Sequence, residues 1–203
     1  MKVALFGATG RVGQLVHQKL GDANVEVTAL VRDPSRLHSP AKTIVGDARN
    51  YEKIVETLQD ADAVISCLST DKSDVLSDVT PKLIRAMKHA HLQRIITIGT
   101  AGILQSREEP RKLRFQTDES KRGLTRASLE HEKAWQALLL SNLDWTIVCP
   151  TYLPDGEEKG TYRVEENFLP LDGKLISTAD TANFVCEVFK KQLHSKKRVG
   201  ISY

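Results

Sequence analysis

Lys2-Val3-Ala4-Leu5-Phe6-Gly7-Ala8-Thr9-Gly10-Arg11-Val12-Gly13 opens with an apolar run, continues through glycines spaced G-x-x-G-x-x-G, and ends where a helical pattern begins. A glycine-rich turn between a strand and a helix is the context in which this spacing carries chemical meaning. Gly7 lets the chain turn sharply, Gly10 lets backbone amides approach a pyrophosphate, and Gly13 permits close helix–strand packing. Unpaired N–H groups and the positive end of the helix dipole then face the phosphates, with the Thr9 hydroxyl as one further contact. The turn predicts a dinucleotide site at the head of the chain.

Outward from this turn, short β-rich apolar runs alternate with helical patterns. Strands are expected at 3–6, 25–31, 43–45, 63–67, 94–98 and 145–149, and helices at 12–20, 51–58, 75–89 and 128–140. The central strands are apolar almost throughout, as expected when helices cover both faces of a parallel sheet. The alternation predicts a single-domain α/β Rossmann fold over 1–203, with a doubly wound, mostly parallel sheet and helices on both faces. Near the C-terminus, Asp172-Gly173 turns into Leu175-Ile176, followed by a helix over 178–193 and a short strand over 199–202. Ser177 or Thr178 is the expected N-cap of that helix, with Asp180 in its first turn. Two stretches break the pattern: 104–126, charged and interrupted by Pro110 and Gly123, and 150–171, rich in proline and glycine. Long loops inside a compact domain are often functional, and these two are expected on the substrate side.

The residue after the second strand selects the cofactor. NAD sites tend to carry an acidic residue there for the ribose 2′-OH, whereas an arginine accommodates the 2′-phosphate of NADP. Here it is Arg32, with Arg36 three residues beyond Asp33 and a fork that matches a phosphate well. NADP(H) is therefore expected over NAD(H), with Asp33 in the turn Asp33-Pro34-Ser35. Asp47 closes the third strand, where it either meets the adenine or caps the helix near Tyr51. Leu68, Ser69 and Thr70 follow the fourth strand and are expected near the ribose and nicotinamide phosphate. Pro150-Thr151-Tyr152-Leu153 follows the sixth, where backbone groups reach the nicotinamide amide.

Composition narrows the alternatives. Hydrophobic residues make up 40% and charged residues 27%, values of an ordinary globular protein rather than a disordered one. No run of about 18 apolar residues occurs, so no membrane association is expected. The N-terminus reads as a strand rather than a signal peptide, which makes the cytoplasm the expected location. A net charge of +3 lacks the concentrated basic stripe of a nucleic-acid protein. Cys67, Cys149 and Cys186 are widely separated, offer no metal-ligand spacing and are expected to be structural. The histidines outside 128–140, namely His17, His38, His89, His91 and His194, show no ligand spacing either.

Taken together, Phe6-Gly7-Ala8-Thr9-Gly10, the run Leu30-Val31-Arg32-Asp33-Pro34-Ser35-Arg36-Leu37, Val45-Gly46-Asp47 and Asp62-Ala63-Val64-Ile65 resemble the atypical short-chain dehydrogenase/reductases. So do Asp144-Trp145-Thr146-Ile147-Val148-Cys149-Pro150, Gly160-Thr161-Tyr162, Ile176-Ser177 and Asp180. The resemblance spans nearly the whole chain and points to the NmrA-like NAD(P)-binding group, on the side of its biliverdin-IXβ reductase/flavin reductase branch. It implies NADP(H) across the carboxyl ends of the strands and hydride transfer to a flavin, quinone or tetrapyrrole-type acceptor. The implied cofactor contacts are Gly7, Thr9, Gly10, Arg11, Val12, Arg32, Arg36, Asp47, Leu68, Ser69, Thr100, Pro150, Tyr152 and Leu153. It also places Thr100 beside the nicotinamide.

The Tyr-x-x-x-Lys pair of many short-chain dehydrogenases is absent, because Leu129 stands four residues before Lys133. His131 and Lys133 are alternative proton donors, although a helix face rich in Glu and Lys is usually solvated. Tyr152 either stacks on a planar substrate or packs at a strand end. The expected activity is NADPH-dependent reduction of a planar small molecule, with Thr100 and Tyr152 as the catalytic candidates. The alternatives are a non-catalytic NADP(H) sensor and a nucleotide-sugar epimerase or dehydratase, the latter disfavoured by the short C-terminal portion.

Overall fold

The computed structural model describes residues 1–70, 72–120 and 124–203. Strand β1 (Lys2–Phe6) leads through the glycine turn into helix α1 (Arg11–Asp22). There follow β2 (Glu26–Val31), β3 (Lys42–Val45), α2 (Tyr51–Thr57), β4 (Ala63–Ser66), α3 (Val75–His89) and β5 (Arg94–Ile98). The second half comprises α4 (Arg126–Leu139), β6 (Asp144–Pro150), β7 (Arg163–Glu166), α5 (Thr178–Lys191) and β8 (Lys197–Ser202). The strands form one sheet in the order β3-β2-β1-β4-β5-β6-β8-β7. All neighbouring pairs are parallel except β7 with β8.

Alternation along each strand sends side chains to two cores. Ala4, Phe6, Val64, Ile95 and Ile147 meet Ile54 of α2, Leu83 of α3 and Leu138 of α4. Val3, Leu5, Ile65, Ile96 and Val148 face α1 and α5, where Val16, Leu20, Ala182 and Val185 are buried. Each helix turns one apolar stripe to the sheet, and α1 does so with Val12, Val16 and Leu20. No helix of the described residues is long and apolar enough to cross a membrane.

The doubly wound fold expected from the sequence is the fold observed. One expectation changes in detail. The 150–171 stretch is not all loop, because β7 lies within it and pairs antiparallel along β8, from Arg163 opposite Ser202 to Glu166 opposite Val199. Past the Asp172-Gly173 turn, Leu175 forms an isolated bridge to Tyr152. The 104–126 stretch holds a short 3-10 turn at Arg114–Gln116 and ends where α4 starts. Gly123, read as a breaker there, lies outside the described residues. That stretch is knitted by Glu119, whose carboxylate accepts hydrogen bonds from the Ser106 hydroxyl and the Arg107 and Glu108 amides.

Ser177 caps α5 as expected, its hydroxyl accepting from the Asp180 N–H at 3.0 Å. Cys149 and Cys186 are buried and Cys67 half-buried, all three as free thiols. Burial pushes the Cys149 thiol up to about 12 and Cys186 up to about 11, which leaves both uncharged and unreactive.

Candidate functional site

The order β3-β2-β1-β4-β5-β6 reverses direction between β1 and β4, and such a sheet opens a crevice there at the carboxyl ends of its strands. The glycine turn sits at that point. Gly7 has φ +75°, a left-handed value, and a Cβ on it would lie 2.6 Å from the carbonyl carbon of Cys67 and 2.8 Å from the Leu68 nitrogen. A Cβ on Gly13 would lie 2.0 Å from the Gly7 oxygen. Both positions therefore exclude a side chain, and the backbone forms a close-walled cradle at the start of α1.

That helix start is bare. Gly10 is its N-cap, with no side-chain cap and no acidic residue in the first turn. By contrast Asn50, Thr125 and Ser177 cap α2, α4 and α5 through their side chains. A helix N-terminus left without an anionic cap, behind a glycine cradle, suits a pyrophosphate. A second polar group also waits for a partner at this edge. The Thr151 hydroxyl, one residue past β6, is buried and has no hydrogen-bond partner among the described residues. These features fit a dinucleotide.

The parallel strands bring the other expected residues to the same carboxyl-end rim. Arg32 follows β2 directly and is exposed. Arg36 closes the 3-10 turn Pro34–Arg36, which Asp33 caps by accepting from the Ser35 N–H at 3.0 Å and the Ser35 hydroxyl at 2.7 Å. Those bonds hold the Asp33 carboxyl below its usual range and commit it to the turn. Asp47 accepts from the Arg49 N–H at 2.8 Å, while Asn50 caps α2. The capping alternative for Asp47 is thereby replaced by a turn two residues long. Leu68 and Ser69 follow β4, and the Leu68 backbone lies against Gly7.

Thr100 follows β5 and caps the 3-10 turn Ala101–Ile103, accepting from the Gly102 N–H. Pro150 is buried as the last residue of β6. Tyr152 is 59% exposed beyond it, which sets aside the packing alternative. Leu153 is half-buried, and its carbonyl accepts from Arg11 Nη1 at 3.1 Å.

Lys133 and His131, which the sequence treats alike, part company. Lys133 points outward into an ion pair with Glu130 at 3.1 Å. His131 faces the sheet with Ala134 and Leu138 and lines a small, partly open cavity. Burial lowers its pKa to about 4, so the ring is neutral near pH 7. Its neighbours Glu130 and Glu132 made it look solvated; the signal that marks it is its spacing of three and seven from Ala134 and Leu138.

A doubly wound sheet with a glycine cradle at its switch point and an uncapped helix behind it defines a dinucleotide-binding domain. The family comparison agrees: residues 7–192 match the NAD(P)H-binding family model, and the chain belongs to that family. The uncharacterized protein YwnB of Bacillus subtilis is 25% identical over 209 residues, covering 99% of this chain and 98% of its own. A crystal structure of a candidate exported protein from Burkholderia pseudomallei superposes with TM-score 0.86 at 25% identity, covering both chains completely. A candidate NADH-flavin reductase from Streptococcus pneumoniae superposes with TM-score 0.84 at 25% identity, over 100% of this chain and 99% of that one.

Proposed function

We propose that this chain is an NADPH-dependent reductase that transfers hydride to a planar conjugated acceptor of flavin, quinone or tetrapyrrole type. The observation that carries the reading is the shared rim. The pyrophosphate cradle at Gly7, Gly10 and Gly13 and the exposed ring of Tyr152 lie at the same carboxyl-end edge of one parallel sheet. The whole-length likeness to the Streptococcus pneumoniae protein supports it, as does the resemblance to the flavin reductase branch. In this reading Thr9, Arg11, Val12, Leu68 and Ser69 hold the pyrophosphate and riboses. Arg32 and Arg36 hold the 2′-phosphate, and Asp47 lies by the adenine. Pro150 and Leu153 offer backbone groups to the nicotinamide end, beside Thr100. Its partner is a small acceptor and its setting the cytoplasm.

When bound, NADPH supplies the hydride; the protein's share is binding, orientation and exclusion of water. Thr100 and Tyr152 are the residues assigned to the reacting end. Conservative replacement, Thr100→Val or Tyr152→Phe, is expected to lower turnover of FMN or a quinone by tenfold or so while the NADPH dissociation constant stays nearly constant. Unaltered turnover in both variants contradicts their placement.

One observation favours a second reading, an NADP(H)-sensing protein without turnover. Leu129 stands where the tyrosine of a Tyr-x-x-x-Lys pair would be, and Lys133 is paired with Glu130. Binding of NADPH with no oxidation across a panel of flavins and quinones is the result that would select it.

A further inference from the structure

Beneath the rim, between the carboxyl ends of β4 and β5 and helices α3 and α4, lies a cavity of about 20 Å³. Its polar lining is Ser66, Thr80, Thr97 and His131, and Leu68 and Gly99 stand at its rim side. Ser66 and Thr97 are register partners on adjacent parallel strands, so their side chains leave the sheet on the same face. None of the four side chains has a hydrogen-bond partner among the described residues. A water needs roughly 10–15 Å³ of this kind of space and two to four polar partners. The cavity offers both, with four polar side chains on its lining.

We propose that this cavity holds one ordered water, fixed by His131, Ser66 and Thr97, and that His131 and this water relay a proton to the acceptor at the rim. The inference rests on the reductase reading. Hydride transfer places two electrons and one hydrogen on the acceptor, which then needs one proton to become neutral. The water gives that proton as its O–H bond breaks and the acceptor's O–H or N–H bond forms. It takes a replacement from the ring N–H of His131, and the second ring nitrogen of this half-buried residue takes one from solvent. One solvent proton is consumed per hydride. A neutral imidazole, one nitrogen donating and the other accepting, is the form this relay requires.

The charged groups near His131 are its neighbours on α4. Glu130 accepts from the Ser77 amide at the start of α3 and from Lys133, and is therefore engaged away from the cavity. Ser66, Thr80 and Thr97, which the sheet and α3 turn toward it, carry no charge.

Two measurements test the proposal. A high-resolution crystal structure of the cofactor-free protein is expected to show a water within hydrogen-bond distance of a His131 ring nitrogen and of the Ser66 or Thr97 hydroxyl. A dry cavity overturns it. Turnover is then compared between a quinone, which needs a proton after hydride transfer, and methylene blue, a cationic dye that becomes neutral on accepting hydride alone. His131→Phe is expected to slow the quinone by about 100-fold, the scale of general acid catalysis, and methylene blue by less than threefold. His131→Gln is expected to recover part of the quinone rate, and Thr97→Val, which keeps the side-chain shape, to lower it. Equal effects on both acceptors overturn the relay. A parent protein that reduces neither acceptor overturns the reductase reading itself, a result distinct from a variant that loses nothing.

Discussion

Arg11 Nη1 lies 2.9 Å from Asp155 Oδ1, so the first residue of α1 is tied to the segment that follows β6. Lys19 and Glu158 form a second ion pair between the same two elements. The segment thus straps along α1 from its first residue, next to the glycine cradle, to its third turn, with an anionic carboxylate already on the arginine. Both partners are more than half exposed, at 58% and 73% of their side chains, and an exposed pair contributes about 0–1 kcal/mol to stability.

Asp155→Asn is therefore expected to leave the melting temperature nearly unchanged and to tighten NADPH about threefold at low salt, by releasing Arg11 to the pyrophosphate. Arg11→Ala is expected to weaken NADPH and NADH alike. Calorimetric titration checks both, and an affinity that ignores Asp155→Asn contradicts the competition.

Arg32→Ala separates the two cofactors. Loss of a charge-assisted contact to the 2′-phosphate is expected to weaken NADPH by about 1.5–3 kcal/mol and barely touch NADH. Equal weakening of both would remove Arg32 from the 2′-phosphate and return it to the general surface charge.

Gly13→Ala tests the cradle. The added Cβ would meet the Gly7 oxygen at 2.0 Å, a contact only backbone movement relieves. The expected result is a loss of about 1–3 kcal/mol of stability, the usual cost of overpacking, with at least tenfold weaker binding of either cofactor. Gly21→Ala, where a Cβ meets nothing within 4 Å, is the matched control and is expected to bind normally.

Asp180 fastens the other end of the strap. Burial alone pushes its carboxyl upward, but hydrogen bonds from the Tyr203 hydroxyl, the Lys159 and Gly160 amides and Ser177 outweigh this and hold it below the ordinary value of 3.8. The folded-state pKa is depressed, so this stabilisation is fully present above about pH 4 and is lost as pH falls through the folded value. Asp180→Asn is expected to cost about 1.5–3 kcal/mol at pH 7, the scale of hydrogen bonds to a charged group, and progressively less toward pH 2. Chemical denaturation at the two pH values checks this, and an equal penalty at both contradicts it.

How much of this was legible in the sequence depended on whether a residue's surroundings are local. β1, β4, β5 and β6 are buried on both faces, so their apolar runs announce them, and the glycine turn is read from its neighbours in the chain. β7 was not legible. Arg163-Val164-Glu165-Glu166 is an exposed edge strand with almost no apolar signal, and it exists because β8 offers it a free edge. The ties between Arg11 and Asp155 and between Asp180 and Gly160 join residues 144 and 20 positions apart, which no local pattern encodes. His131 is the intermediate case. Its charged neighbours disguise it, but its helical phase with Ala134 and Leu138 gives it away.

The most direct test of the central claim is calorimetric titration of the purified protein with NADPH and with NADH. Tight NADPH and weak NADH are predicted, because in the proposed reading the cradle takes the pyrophosphate of both cofactors whereas Arg32 and Arg36 meet a 2′-phosphate that only NADPH carries. Equal affinity would contradict the 2′-phosphate assignment, and no binding of either would contradict the dinucleotide site at Gly7, Gly10 and Gly13.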